Sequence, residues 1–100
     1  MSMQIRAIEL SVSNSQNIHV REGAMFLSIH TDKSKPVSGA YGIRPAVNLY
    51  VAENINNPYI PKEIITVGVD TPCSDTGVLF IGSYTLKEGA FVAHVFEKVK

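Results

Sequence analysis

Metal and nucleophilic chemistry are most often built from histidine and cysteine, and this chain holds four such residues: His19, His30, His94 and Cys73. The histidines stand far apart and match no compact metal-ligand spacing. Cys73 is flanked by Asp70 and Asp75, but no histidine is near it in sequence, and Thr71-Pro72-Cys73-Ser74 reads as a turn. No paired-carboxylate motif, phosphate-binding glycine loop or nucleophile elbow occurs. The chain is therefore not expected to be an enzyme, and neither a metal nor a cofactor is expected.

Recognition of a ligand has better material. Residues 33–44 carry Lys33, Lys35, Tyr41 and Arg44, residues 54–62 carry Asn56, Asn57, Tyr59 and Lys62, and Tyr50 lies between them. Arginine presents a planar fork to phosphate and lysine a point charge, while a tyrosine ring stacks on a base and an asparagine amide reads its edge. The expected site is one for a small nucleotide-like ligand. Arg44, Lys35 and Lys62 would meet phosphate, Tyr41, Tyr50 and Tyr59 would stack, and Asn57 would hydrogen-bond. The competing reading is that these are solvated loop residues, as any soluble protein has. The two readings separate on whether the two loops meet, within one chain or across an oligomer.

Composition narrows the partners. Nine basic residues balance nine acidic ones, which argues against coating a nucleic-acid polymer, since that needs a basic surface. Zero net charge also removes the repulsion that keeps proteins apart, so a homo-oligomer is expected. One cysteine allows no internal disulfide, the first residues do not resemble a signal peptide, and no apolar run is long enough to span a membrane. A cytoplasmic setting without membrane contact follows.

The scaffold that positions these groups reads as β throughout. Ile8, Leu10 and Val12 alternate with Glu9 and Ser11, predicting a strand over residues 4–12, and Ile18 and Val20 predict a short second one. Residues 24–30 predict a third, with Met25, Leu27 and Ile29 on one face and Phe26, Ser28 and His30 on the other. Residues 31–36 read as an exposed connection, residues 46–52 as a strand, and residues 54–61, with two prolines and three asparagines, as a protruding loop. Residues 63–69 resume the β pattern, and residues 70–77 form another loop. The chain closes in a hairpin over residues 77–100, whose return strand sets Val92, His94 and Phe96 against Phe91, Ala93, Val95 and Val99, predicting burial on both faces. The expected fold is a single all-β domain over residues 1–100, an antiparallel sandwich or small barrel of six to seven short strands.

Several phrases occur in a familiar order: Ile8-Glu9-Leu10-Ser11-Val12, Gln16-Asn17-Ile18, Gly23-Ala24, Leu27-Ser28-Ile29, Thr66-Val67-Gly68, Phe80-Ile81-Gly82-Ser83-Tyr84 and His94-Val95-Phe96-Glu97. In these the chain resembles a family of short phage and prophage proteins known mainly as a domain of unknown function. It departs from that family's pattern at Ala7, at Ser11 and over residues 39–61. The resemblance implies a phage origin and, by similarity of size and lack of catalytic motif, an anti-defence protein that sequesters a nucleotide immune signal, such as a cyclic ADP-ribose isomer or cyclic oligonucleotide, without cleaving it. The alternatives are a protein-interaction module, either a virion or accessory component or an inhibitor docking on a host protein through a strand edge, and a hydrolase of such a signal using His94, His30 or Asp75.

Overall fold

Alternation of apolar and polar side chains, with no helical period, becomes seven antiparallel strands in the computed structural model, which describes residues 2–39, 42–68, 77–86 and 89–99. They are β1 (Met3–Leu10), β2 (Ser15–Arg21), β3 (Met25–Gly39), β4 (Gly42–Asn54), β5 (Tyr59–Gly68), β6 (Val78–Leu86) and β7 (Phe91–Lys98). One sheet has the order β1-β4-β3 and the other β2-β5-β7-β6, so the fold is a sandwich of two open sheets and not a closed barrel. The inner faces supply one core. Leu10, Ile29, Val47, Leu49 and Val51 come from the three-stranded sheet; Ile18, Val20, Ile64, Tyr84, Leu86, Ala93 and Val95 come from the four-stranded one. Each large aliphatic side chain buried there contributes about 1.5–3 kcal/mol against the entropy of ordering the chain.

The two sheets approach closely where β3 meets β6. A Cβ on Gly82 would lie 3.3 Å from Ile29 Cγ1 and 3.5 Å from the Ile29 backbone nitrogen, a tight fit that glycine relieves. Gly23, at φ +80°, makes the tight passage from β2 in one sheet to β3 in the other. There the Ala24 amide donates to the Arg21 carbonyl at 3.0 Å, and the Glu22 amide donates to the Pro58 carbonyl at 2.8 Å.

The structure corrects several expectations from the sequence. Residues 31–36 do not form a connection but lie inside β3, because β3 and β4 stay paired out to Gly39 and Gly42. The ladder absorbs Lys33, Ser34 and Lys35 in one irregularity between Asp32 and Pro36. Asp32 Oδ1 closes it by accepting from the Ser34 amide at 2.9 Å and the Ser34 hydroxyl at 2.6 Å, the local bonding that favours aspartate in turns. The loop expected over residues 54–61 shrinks to residues 55–58, since Tyr59, Ile60 and Pro61 already pair with Arg21, Val20 and His19. Pro61 is tolerated because pairing of β5 with β7 begins only at Ile64, leaving its missing N–H on an open edge.

A β-bulge changes the faces of β3. Phe26 opposes Val51 and Ser28 opposes Tyr50, so Leu27 is the extra residue, and alternation restarts after it. Phe26 and Ile29 therefore point inward, while Met25, Ser28 and His30 point out, contrary to strict alternation. On β7, Ala93 and Val95 are fully buried, but Val92, His94 and Phe96 lie on the outer face and are only half-buried. The strand is not covered on both sides.

Candidate functional site

Two places gather side chains with something to do. The first is a polar clasp across one end of the sandwich. Arg6 on β1 shares its face with Ile8 and Leu10, and Glu53 on β4 shares its face with Val47, Leu49 and Val51, so both charges point between the sheets. Arg6 Nε donates to Glu53 Oε1 at 2.8 Å and Arg6 Nη2 to Glu53 Oε2 at 3.1 Å, a bidentate pair. Arg6 Nη2 also donates to the His19 carbonyl at 3.0 Å, and the Arg21 amide donates to Glu53 Oε2 at 2.8 Å. Glu53 is only 4% exposed. Burial alone would raise its pKa, but the Arg6 hydrogen bond, reinforced by the Arg21 amide and both positive charges, holds it below the usual carboxylate value. The same bond raises Arg6.

Around this pair, Arg21 Nη1 donates to the Asn57 carbonyl at 2.9 Å and Asn57 Nδ2 to the Glu22 carbonyl at 2.8 Å. The Arg21 guanidinium stacks 4.0 Å from the Tyr59 ring centroid, with Arg6 at 5.7 Å. The clasp joins β1 and β4 to β2 and the β4–β5 loop. Its polar groups are largely satisfied by one another, which is the arrangement of a structural tie.

The residues singled out from sequence are dispersed within the chain. Asn57 and Tyr59 meet in the clasp. Arg44 and Lys35 lie toward the opposite end of β4, since the ten steps from Arg44 to Asn54 span about 33 Å. Arg44 donates to the Pro45 carbonyl at 2.9 Å. Lys62 forms an ion pair with Glu97 at 3.4 Å. Tyr50 sits mid-strand on the outside of the three-stranded sheet, and Tyr41 falls outside the described residues. Among the described residues, the two segments do not meet in one chain.

The second place is that outer face. Register sets its side chains in rows across the strands: Met3 with Asn54, then Ile5–Ala52–Met25, then Ala7–Tyr50–Ser28, then Glu9–Asn48–His30. Met3, Ile5 and Met25 are 53%, 65% and 61% exposed. The bulge residue Leu27, also exposed, lies between the second and third rows. Ile5, Leu27, Ser28, His30 and Tyr50 line a shallow depression of about 470 Å³. The His30 and Tyr50 rings meet edge to face at 5.2 Å, and Ser28 Oγ lies 3.0 Å from His30 Nε2, which fixes both rings on the surface.

Catalytic groupings do not form among the described residues. His30 faces out from one sheet, His19 and His94 from the other, and no group of three histidine, cysteine or acidic residues is placed to hold a metal. His94 Nδ1 lies 2.6 Å from Ser83 Oγ, and no carboxylate among the described residues is bonded to that pair.

The family described as a domain of unknown function, DUF7352, matches residues 1–100. The chain belongs to this DUF7352 family. No curated protein and no solved structure matches it. The DUF7352 match spans all seven strands, so clasp and outer face both lie within the family's domain. Sequence reasoning passed over Arg6, Arg21 and Glu53 of this DUF7352 chain. A signal was there: Arg6 and Glu53 each put a charge on the apolar side of an alternating strand, and inward charges are kept only when paired. For Met3, Ile5, Met25 and Leu27 no comparable signal exists, because exposure of an apolar strand face depends on what covers it.

Proposed function

We propose that this DUF7352 domain is a non-catalytic binding protein that docks on protein through the outer face of the β1-β4-β3 sheet. What carries the reading is the cluster of Met3, Ile5, Met25 and Leu27, all exposed, around Tyr50 on one face whose central two rows hold no charged residue. Scattered apolar residues need no explanation, but a contiguous apolar face marks an interaction surface. The test uses Ile5→Asp and Leu27→Asp, both at exposed positions and checked for folding by circular dichroism. Each should lose the protein complexes that the parent forms, including complexes with itself, while Tyr59→Ala in the clasp should keep them. Complexes left intact by both aspartates would end this reading.

A second reading keeps the nucleotide-like ligand, in the phage anti-defence setting that the family resemblance implies. It is favoured by one observation: Tyr59, half exposed, carries the Arg21 guanidinium on its ring, with Arg6 and Asn57 beside it. Native mass spectrometry with cyclic ADP-ribose isomers and cyclic di- and trinucleotides should then show an intact ligand retained by the parent and lost in Tyr59→Ala. No retained mass across that panel would remove this reading.

A further inference from the structure

We propose that the partner on the outer face is a second copy of this chain, packed face to face about a two-fold axis that crosses the strands between the Ile5–Ala52–Met25 and Ala7–Tyr50–Ser28 rows. The inference rests on the docking reading above and names its occupant. The relief of the face is the argument. The first of these rows has large side chains on its flanking strands and a small one at its centre; the second is small at the flanks and large at the centre. A two-fold axis between them lays each row on the other row of the second copy. Tyr50 then enters the trough over Ala52, Ile5 covers Ala7, and Met25 covers Ser28, large on small at every position. Isologous contacts require such self-complementarity, and stacked sheets about 10 Å apart fill their interface by interdigitation of this kind.

Charge agrees with the geometry. The chain carries no net charge, so two copies do not repel. Glu9 is the nearest charged residue in the rows; the axis sets its two copies three row spacings apart, about 20 Å, well beyond the screening length of about 8 Å in physiological salt. Leu27, between the two rows on β3, lies beside the axis and meets its own counterpart. The footprint of four rows on three strands is on the order of 400 Å², about half of the roughly 800 Å² per partner of a standard interface. The dimer is therefore reversible and forms in a concentration range reached by titration.

Sedimentation velocity from about 10 μM to about 1 mM covers that range. The parent should pass from the mass of one chain to the mass of two. Ala52→Tyr fills the trough and should weaken association by about tenfold or more, and adding Tyr50→Ala, which exchanges knob and hole, should restore it. Leu27→Cys in a Cys73→Ser background should yield a covalent dimer on mild oxidation, while Thr85→Cys on the opposite outer face should not. This cross-link stands as a second readout if Ala52→Tyr fails to fold. A parent that stays monomeric to about 1 mM, or a dimer unchanged by Ala52→Tyr and not cross-linked through position 27, overturns the proposal. If a complex with another protein is still lost in Ile5→Asp, the docking face stands and only its occupant was wrong.

Discussion

The two outer faces of the sandwich are built from the same alternating pattern and end up differently exposed. On the four-stranded sheet, large sits beside large: Ile65 opposes Phe96, and Phe96 opposes Phe80 with ring centroids 5.5 Å apart, edge to face. Ile65, Val67, Val92 and Phe96 are half-buried by their own sheet, Phe80 on the edge strand β6 stays 61% exposed, and Lys98 pairs with Glu63 at 3.7 Å beside them. On the three-stranded sheet, large sits beside small in the two central rows. Met3, Ile5 and Met25 stand clear beside the small side chains of Ala7 and Ala52. The comparison teaches that apolar content does not decide whether a sheet face is self-sufficient. Cross-strand neighbours do.

The largest expected effect is a control on both faces together. Leu49→Ala should cost about 2–5 kcal/mol of unfolding free energy by denaturant titration, because the side chain is fully buried where the two sheets meet. Next comes the clasp that fixes the sheets against each other. Glu53→Gln keeps the shape but removes the charge facing Arg6, and should cost about 2 kcal/mol. The pH dependence has a definite sign. Glu53 is lowered in the folded state from its ordinary 4.5, so its contribution is complete above that value and is lost as pH falls through it toward the lower folded value. Parent stability should therefore drop on acidification below about pH 5, and Glu53→Gln should flatten part of that drop. An unchanged acid profile in Glu53→Gln would remove the clasp's electrostatic role.

The sharpest test of the comparison itself pairs one substitution from each face. Phe80→Asp should lower stability by about 1 kcal/mol through the lost Phe96 contact and leave association unchanged. Ile5→Asp should change stability by no more than about 0.5 kcal/mol and abolish association. Equal behaviour of the two would erase the distinction between the faces. Tyr59→Ala should cost about 0.5–1 kcal/mol from the lost Arg21 stacking and, unlike Ile5→Asp, leave association intact.

Much of the fold was legible because period-two alternation leaves few choices once several strands share one core. The seven strands, their antiparallel sense and the closing hairpin follow from residues such as Ile18 and Val20 or Ala93 and Val95. Ligand chemistry was read from loop composition, and the structure sends Arg44 and Asn57 to opposite ends of β4 because that strand is longer than its apolar centre. Pro61 suggested loop, yet it lies within β5, where an open edge accommodates it.

By itself, the sequence determined the all-β class and the apolar centres of the strands, since these depend on local period and side-chain type. Tertiary structure decided the rest: the Leu27 bulge that turns Met25 and His30 outward, the pairing of Arg6 with Glu53 across forty-seven positions, and the large-against-small relief of the β1-β4-β3 face. Each depends on register between distant strands. A shift of one residue would reverse the face of every side chain involved, and no spacing within a single strand records that register.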